Sequence, residues 1–336
     1  MRQWNFCSLL HHNTFGIEAK ARLFVEYDSQ EELQGFLRNR AVKDKILHIG
    51  QGSNLLFTKD FDGTVLHSLL GGISIEEEDE NNVVVKAGAG IAWDDFVSFC
   101  VNHGYYGLEN LSLIPGEVGA AAVQNIGAYG AEVKDFIVQV QIVNLSTGEE
   151  EIKKKSDCDY SYRYSNFKGP WKDCYAVTYV YFQLNKVFHP NVNYAAIQSL
   201  VEQMEPKLVS ASAIRQKIID IRRKKLPDPN VLGNAGSFFM NPIVEKKAFD
   251  ELHKKYVDIP YYNVDNGVKI PAGWLIEECG WKGRNLGRAG IYEKQALVVV
   301  NLGGATGQDI VRLSDQVCQD VYDKFGIHIK PEVNWI

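Results

Sequence analysis

The run Ile114-Pro115-Gly116-Glu117-Val118-Gly119-Ala120-Ala121-Ala122-Val123-Gln124-Asn125-Ile126-Gly127-Ala128-Tyr129-Gly130 is built almost entirely of small residues and carries one charge. Solvation does not account for it. A backbone stripped of side chains can lie directly against a flat ligand. The same composition also suits a tightly packed helix start behind a glycine turn. We read it as a ligand wall, with the packed helix start as the alternative.

Three further stretches concentrate glycine. His48-Ile49-Gly50-Gln51-Gly52-Ser53-Asn54-Leu55-Leu56-Phe57 begins like GxGxxG, but its sixth position is Leu55 and a strand-like run follows. A dinucleotide fingerprint needs a helix there, so a Rossmann turn is excluded. What remains is a strand–loop–strand whose N–H groups can cradle phosphate oxygens, or a plain turn. Leu226 to Pro242 presents Ser237 after Asn234-Ala235-Gly236. The spacing is not that of a GxSxG elbow, which removes a hydrolase nucleophile. Ser237 either acts on a ligand or bonds its own turn. Lys269 to Gly283 reads as a turn followed by a helix, with a structural role.

Composition narrows the function class. At about 150 residues per domain, a chain of 336 residues holds two or three domains. With 36 basic and 42 acidic residues the net charge is −6, against the basic excess of a nucleic-acid binder. No run reaches the roughly 18 apolar residues of a membrane helix. Met1 to Phe6 has no apolar core behind it, so no signal peptide is expected and the expected compartment is the cytoplasm. The six cysteines form no CxxC pair and read as reduced, mostly buried small hydrophobes. His11 and His12 point opposite ways on an extended chain, so no metal is expected.

Periodicity gives the elements. Ala21–Tyr27 is strand-like, Ser29-Gln30-Glu31-Glu32 fits a capping box, and Leu33, Phe36 and Leu37 form a helical stripe. Strands at 46–49, 55–57 and 64–66 complete a small β-α-β unit. The acids 76–80 read as a solvated hairpin tip between strands 73–75 and 83–85. Further helices are expected over 92–103 and 195–203, and strands over 136–143, 150–154 and 176–184. Ser212 is expected to cap a helix bearing Ile214, Ile218 and Ile221, ending in Arg222-Arg223-Lys224-Lys225 and stopped by Pro227. Thr306-Gly307-Gln308-Asp309 opens a helix carrying Ile310, Leu313, Val317 and Val321 and closing at Gly326.

With Asn13-Thr14-Phe15, Tyr162-Arg163-Tyr164-Ser165-Asn166-Phe167 and Lys330-Pro331-Glu332-Val333, these segments stand in one order, and the chain resembles the UDP-N-acetylenolpyruvoylglucosamine reductase family. Val192-Asn193-Tyr194-Ala195-Ala196-Ile197 is similar to the segment that folds a tyrosine over the substrate in its first type. The resemblance implies an α+β fold: an FAD-binding module of the p-cresol methylhydroxylase or vanillyl-alcohol oxidase kind, plus a C-terminal α+β substrate domain. The division read from it is 1–70 and 71–208 for the two FAD-binding subdomains and 209–336 for the substrate domain. The last strand, with Glu332, is expected to return to the active site. It further implies non-covalent FAD, since neither His11 nor His12 sits in a flavin-attachment motif. NADPH is implied as co-substrate and a UDP-sugar as substrate, in peptidoglycan precursor synthesis. A monomer is expected, without nucleic-acid, membrane or metal partners.

Residue roles follow from the same resemblance. Ser237 matches the proton donor. Arg163 offers a planar, permanently charged fork to a carboxylate, where otherwise it would be a strand-edge surface arginine. Glu332, as a neutral acid with a raised pKa, would bond the developing carboxylate charge, where otherwise it would be a solvated terminal carboxylate. Gly50, Gln51, Gly52, Ser53, Asn54 and Leu55 match the FAD diphosphate loop. Ile114, Pro115, Gly116, Val118, Gly119, Ala120, Gln124, Asn125, Ile126, Gly127 and Ala128 match the flavin wall. Tyr129, Tyr194, Arg222, Lys225, Asn241 and Gln295 match substrate contacts, although the 222–225 run also complements a helix C-terminus. Asn334 stands where many family members carry arginine, and Glu117 receives no role. A flavin oxidase and a non-catalytic flavin-binding regulator are the competing readings. The Asn-Ala-Gly-Ser-Phe-Phe and Lys-Pro-Glu-Val motifs disfavour the first, and the joint presence of Arg163, Ser237 and Glu332 disfavours the second.

Overall fold

The computed structural model describes residues 1–40, 44–192 and 194–336. They divide into two compact units. Unit 1 comprises Met1–Cys7, Ala21–Gln51 and Asp62–Arg222, and unit 2 comprises Ser8–Lys20, Gly52–Phe61 and Arg223–Ile336. The secondary structure is mixed α and β throughout.

Unit 1 holds two sheets and two main cores. The smaller sheet orders its strands Arg2–Ser8, Lys20–Tyr27, Phe61–Ser68 and Ile46–Ile49. The last two run parallel with Ile49 opposite His67. Helix α1 (Gln30–Asn39) sends Leu33 and Leu37 onto Val25, Tyr27, Leu66 and Leu70. Only half of the expected capping box forms. Ser29 Oγ accepts from Glu32 N at 3.2 Å, but the Glu32 carboxylate accepts from Asp28 N, at 2.9 Å, one residue early.

The larger sheet is antiparallel: Glu150–Lys154, Ile137–Asn144, Tyr175–Asn185, Asn82–Gly88 and Ile73–Glu78. Helices α2 (Trp93–Asn102) and α3 (Val118–Gln124) share its core, where Trp93, Phe96 and Phe182 stack within 4.8–6.0 Å of one another. The acidic run is less of a tip than expected, because Glu76, Glu77 and Glu78 belong to the edge strand. Asp79 makes the turn, its carboxylate accepting from Asn81 N and Asn82 N at 2.7 Å each. Helices α4 (Ala195–Glu202) and α5 (Ala211–Lys225) bury Ile197, Ile214 and Ile218 together. The cap of α5 is Ser210 rather than Ser212. Ser210 Oγ accepts from Ala213 N at 3.2 Å, and Ile219 is buried with Ile214 and Ile218 while Ile221 is only half-buried.

Unit 2 has an antiparallel sheet in the order Gly233–Ser237, Val298–Asn301, Ala289–Ile291, Asn285–Leu286, and a smaller one of Ile243–Val244, Gly267–Lys269 and Tyr262–Val264. Its helices are α6 (Lys246–Lys255), α7 (Ala272–Glu278) and α8 (Gly307–Phe325). Helix α8 follows its sequence closely. Thr306 and Asp309 cap it reciprocally, Gly326 closes it at φ 68°, and Ile310, Leu313, Val317 and Val321 are buried. Two early segments belong here. Leu55–Leu56 pairs in parallel with Asn334–Trp335. Asn13 closes the loop around it, donating to Leu9 O and Ile17 O and accepting from Ile17 N.

All six cysteines are free, but only Cys100 and Cys158 are buried and Cys174 is exposed. Among the described residues no helix is long and apolar enough to cross a membrane. None of them gather as three or more His, Cys, Asp or Glu side chains able to hold a metal ion.

Candidate active site

In unit 1 part of the small-residue run, Val118–Gln124, forms a packed helix. Gly116 leads into α3, and a Cβ on Gly119 would lie 2.8 Å from Ala89 Cβ, so the helix must sit against the sheet backbone there. Val118, Gly119, Ala121 and Ala122 are buried by this packing. Ile114, Ala120, Gln124, Ile126, Gly127 and Ala128 stay half-buried, and Pro115 is exposed. Asn125 ends α3 in the left-handed region at φ 44°. Its side chain is fully spent inside the protein, donating to Glu132 and to Ser161 O and accepting from Lys134 N. Gln51 Oε1 accepts from Gly116 N at 3.2 Å, which joins the start of the expected diphosphate loop to this segment.

Arg163 is a turn residue, not a strand-edge one. Ser161 and Tyr164 bond each other's backbone in both directions, and Arg163 between them sits at φ 56°. Its Nη2 donates to Gly127 O at 2.8 Å, and a Cβ on Gly127 would lie 2.9 Å from Nη1. Lys168 Nζ holds the Arg163 carbonyl at 2.8 Å. The arginine is thereby fixed against the 126–128 segment of unit 1.

Tyr129, Tyr194 and Arg222 also come together in unit 1. The tyrosine rings meet edge to face at 5.5 Å. Arg222 Nε donates to Leu113 O at 3.1 Å, and its charge acts on the Tyr129 hydroxyl. Burial pulls the Arg222 pKa down and Tyr129 partly opposes it; burial lifts the Tyr129 hydroxyl in turn. Asn193, beside Tyr194, lies outside the described residues. Three supporting side chains went unread in the sequence. Asp94 accepts from Arg215 Nη1 and Nη2 at 2.6 and 2.9 Å and from Leu113 N at 2.5 Å. Burial raises Asp94, yet the Arg215 fork and the Leu113 N–H outweigh it and leave its pKa low. Asn110 donates to Tyr129 O and Asn191 O at 2.8 and 3.0 Å. No local pattern could have joined residues so far apart in the chain.

In unit 2 the strand carrying Ser237 bulges. Asn234 pairs with Val300 and Ser237 with Val298, so Ala235 and Gly236 stand against one partner residue. Gly236 takes φ 68°, and Asn234 Oδ1 accepts from its N–H at 2.9 Å, leaving Ser237 exposed at the strand end. Beside it runs the chain terminus: Glu332 N donates to Phe238 O at 2.7 Å and Met240 N to Lys330 O at 2.9 Å. Ser237 and Glu332 are therefore on neighbouring segments. Glu332 precedes the last strand, Asn334–Trp335, rather than lying in it. Asn241 Oδ1 accepts from Ala272 N at the start of α7. Gln295 turns the chain, its backbone carbonyl accepting from Val298 N at 3.0 Å, two residues before Leu297, whose carbonyl receives Phe238 N. Lys225 ends α5 and is exposed. Asn334 Nδ2 donates to Asn54 O at 3.3 Å, a loop contact.

The loop at 50–55 has the makings of an anion cradle. A Cβ on Gly52 would lie 2.1 Å from His12 O, so only glycine fits. Thr14 N donates to Gly52 O, and Thr14 Oγ1 is buried with no hydrogen-bond partner. The N–H groups of Gln51 and Gly52 donate to no acceptor among the described residues. Two unspent N–H groups on one tight loop fit the diphosphate of FAD.

Residues 21–152 match the FAD binding domain, and residues 228–336 match the UDP-N-acetylenolpyruvoylglucosamine reductase C-terminal domain. The chain is 54% identical over 330 residues to the UDP-N-acetylenolpyruvoylglucosamine reductase of Bacteroides fragilis (strain YCH46), covering 98% of each. It is 44% identical over 330 residues to that of Porphyromonas gingivalis (strain ATCC BAA-308 / W83), covering 98% of this chain and 97% of the relative. Its fold is that of the UDP-N-acetylenolpyruvylglucosamine reductase crystal structure from Thermus caldophilus, with TM-score 0.67 and 22% identity over 99% of this chain and 98% of that one. The α+β expectation thus holds, and by sequence identity over nearly its whole length the chain belongs to the UDP-N-acetylenolpyruvoylglucosamine reductase family, FAD-dependent oxidoreductases.

Proposed function

We propose that Ser237, Arg163 and Glu332 carry the reduction of the enolpyruvyl ether of UDP-N-acetylglucosamine to the lactyl ether, the family's step in peptidoglycan precursor synthesis. When bound, FAD supplies a hydride received from NADPH to the terminal enolpyruvyl carbon. The protein must then stabilise negative charge on the neighbouring carbon and its carboxylate and deliver one proton. Ser237 supplies that proton. The observation that carries this is the Gly236 bulge, which frees the hydroxyl from its own strand and aims it outward. Glu332, on the adjacent segment, supports the same carboxylate as a neutral acid. Arg163 pairs with that carboxylate through its planar, permanently charged fork.

The 50–55 loop holds the FAD diphosphate, and the half-buried positions of 114–128 face the flavin. Tyr129, Tyr194 and Arg222, with Lys225, Asn241 and Gln295, hold the UDP-sugar. The FAD-binding subdomains are read as 1–70 and 71–208, and the substrate domain as 209–336. A cytoplasmic monomer serving cell-wall synthesis, and through it cell shape and division, completes the reading.

NADPH absorbance followed with and without the enolpyruvyl sugar nucleotide tests it. Ser237→Ala binds FAD and is reduced by NADPH, while its second half-reaction falls about 10²- to 10⁴-fold. Undiminished turnover in that variant removes the proton-donor role.

A further inference from the structure

Glu117 has no part in the roles above, yet it is only 5% exposed. It is the N-cap residue of α3 but does not cap it. Its carboxylate turns instead to His67, with Oε1 3.1 Å from Nε2. The other ring nitrogen, Nδ1, stands 3.2 Å from Glu26 Oε1. His67 lies opposite Ile49, the last strand residue before Gly50. Gly50 meets the second carboxylate oxygen: a Cβ there would lie 2.8 Å from Glu117 Oε2, while its nearest contact outside Glu117 would be Ala120 Cβ at an ordinary 3.5 Å.

We propose that Glu117 is a positioning residue for the FAD diphosphate loop, its carboxylate pinned by His67 and Glu26 as the floor on which Gly50 and Gln51 rest. The proposal rests on reading 50–55 as that loop. A free glutamate could swing away from a Cβ at position 50. One held in a buried ion-pair chain cannot do so without stranding a buried charge. Gly50 is not at positive φ, so its backbone does not demand glycine. The carboxylate does.

The same chain gives the loop a pH dependence. Burial lowers the His67 pKa, but the bonds to Glu117 and Glu26 outweigh it and leave it raised; burial lifts Glu117. The other groups facing the chain are Arg2, 3.3 Å from Glu26, Cys7 beside Glu26, and His48. His48 bonds Tyr27 and is held neutral, its pKa lowered to about 4 by burial and by His67. With His67 charged, the chain holds one net negative charge beneath the loop. Deprotonation adds a second, against an anionic diphosphate. FAD affinity therefore falls as pH rises through the raised His67 value.

Titrating FAD into apoprotein, followed by flavin fluorescence, tests this in wild type, Gly50→Ala, Glu117→Ala, the double variant and Ser53→Ala. Gly50→Ala weakens FAD about tenfold or more in the wild-type background, and less than about threefold when Glu117 is already alanine. Wild-type affinity falls as pH rises above the ordinary histidine range, and Glu117→Gln flattens that fall. Equal losses from Gly50→Ala in both backgrounds overturn the proposal. If Glu117→Ala does not fold, Glu117→Gln decides, and a pH profile matching wild type overturns it. Should Ser53→Ala weaken FAD while Gly50→Ala acts alike in both backgrounds, only the role of Glu117 falls. If neither Ser53→Ala nor Gly50→Ala changes FAD affinity, the loop reading falls with it.

Discussion

In unit 1, seven residues other than glycine sit at positive φ: Phe6, Leu113, Asn125, Tyr129, Asp159, Arg163 and Asp173. In unit 2, every described residue in that region is a glycine, among them Gly52, Gly236 and Gly326. A side chain there costs roughly 1–2 kcal/mol. Four of the seven, Leu113, Asn125, Tyr129 and Arg163, belong to the proposed flavin and substrate surfaces or brace them. At Asn125, Tyr129 and Arg163 the turn and the useful side chain fall on one residue. Unit 2 splits the tasks: Gly236 makes the turn and Ser237, next to it, carries the hydroxyl. Strain is tolerated where the side chain cannot be moved to a neighbour.

The largest test of this contrast is Arg163→Lys, which keeps the charge and the left-handed turn but loses the planar fork. FAD binding stays near wild type, and the second half-reaction falls roughly 10²- to 10³-fold, about 3–4 kcal/mol. Stopped-flow measurement of the two half-reactions separates them; a normal second half-reaction breaks the claim that the turn is kept for its fork.

The next effect is acid sensitivity, which the contrast assigns to unit 1. His48 falls from 6.5 to about 4 on folding, through burial first and His67 second. A depressed histidine contributes stability that is full above its unfolded value and is lost as pH drops toward the folded one. At about 1.4 kcal/mol per pH unit, about 3 kcal/mol is withdrawn between those limits. Urea midpoints measured across that window fall for wild type and hold steadier for His48→Gln. Parallel curves for the two proteins contradict it.

Gly236→Ala probes unit 2. Open space surrounds a Cβ there, but φ is +68°, so the cost is backbone strain of roughly 1–2 kcal/mol. The thermal midpoint drops accordingly, and the proton-donating half-reaction slows about tenfold as Ser237 shifts. A full-rate variant would separate the bulge from the chemistry. The smallest effect belongs to Asp173→Gly, an exposed left-handed residue away from the proposed site. Relief of strain and added chain entropy nearly cancel, leaving stability within about 0.5 kcal/mol and activity unchanged.

Several elements were legible locally. Helix α8 has both caps and its buried stripe where the residues place them, because a capping box and a glycine stop act within one turn. The strand after Gly52 excluded a Rossmann turn for the same reason. Other features escaped. The cap of α5 moved from Ser212 to Ser210, since two serines in reach of one helix start compete and packing of Ala211 decides. Glu117 looked like a free slot because its partner, His67, lies on a distant strand and is held in turn by Glu26. Asp94, Arg215 and Asn110 hold the Tyr129 and Arg222 surface through bonds spanning long stretches of chain.

By itself the sequence determined the family, the α+β class and the residue types able to do the chemistry, because motif order and short-range caps and turns are written along the chain. Only the tertiary structure decided which residues stand together: the early segments 8–20 and 52–61 joining the C-terminal unit, Arg163 locked to Gly127, and Glu117 beneath Gly50. The reason is physical. A hydrogen bond or a buried carboxylate is satisfied by whatever packing brings within about 3 Å, and that neighbour is set by how distant segments fold against one another.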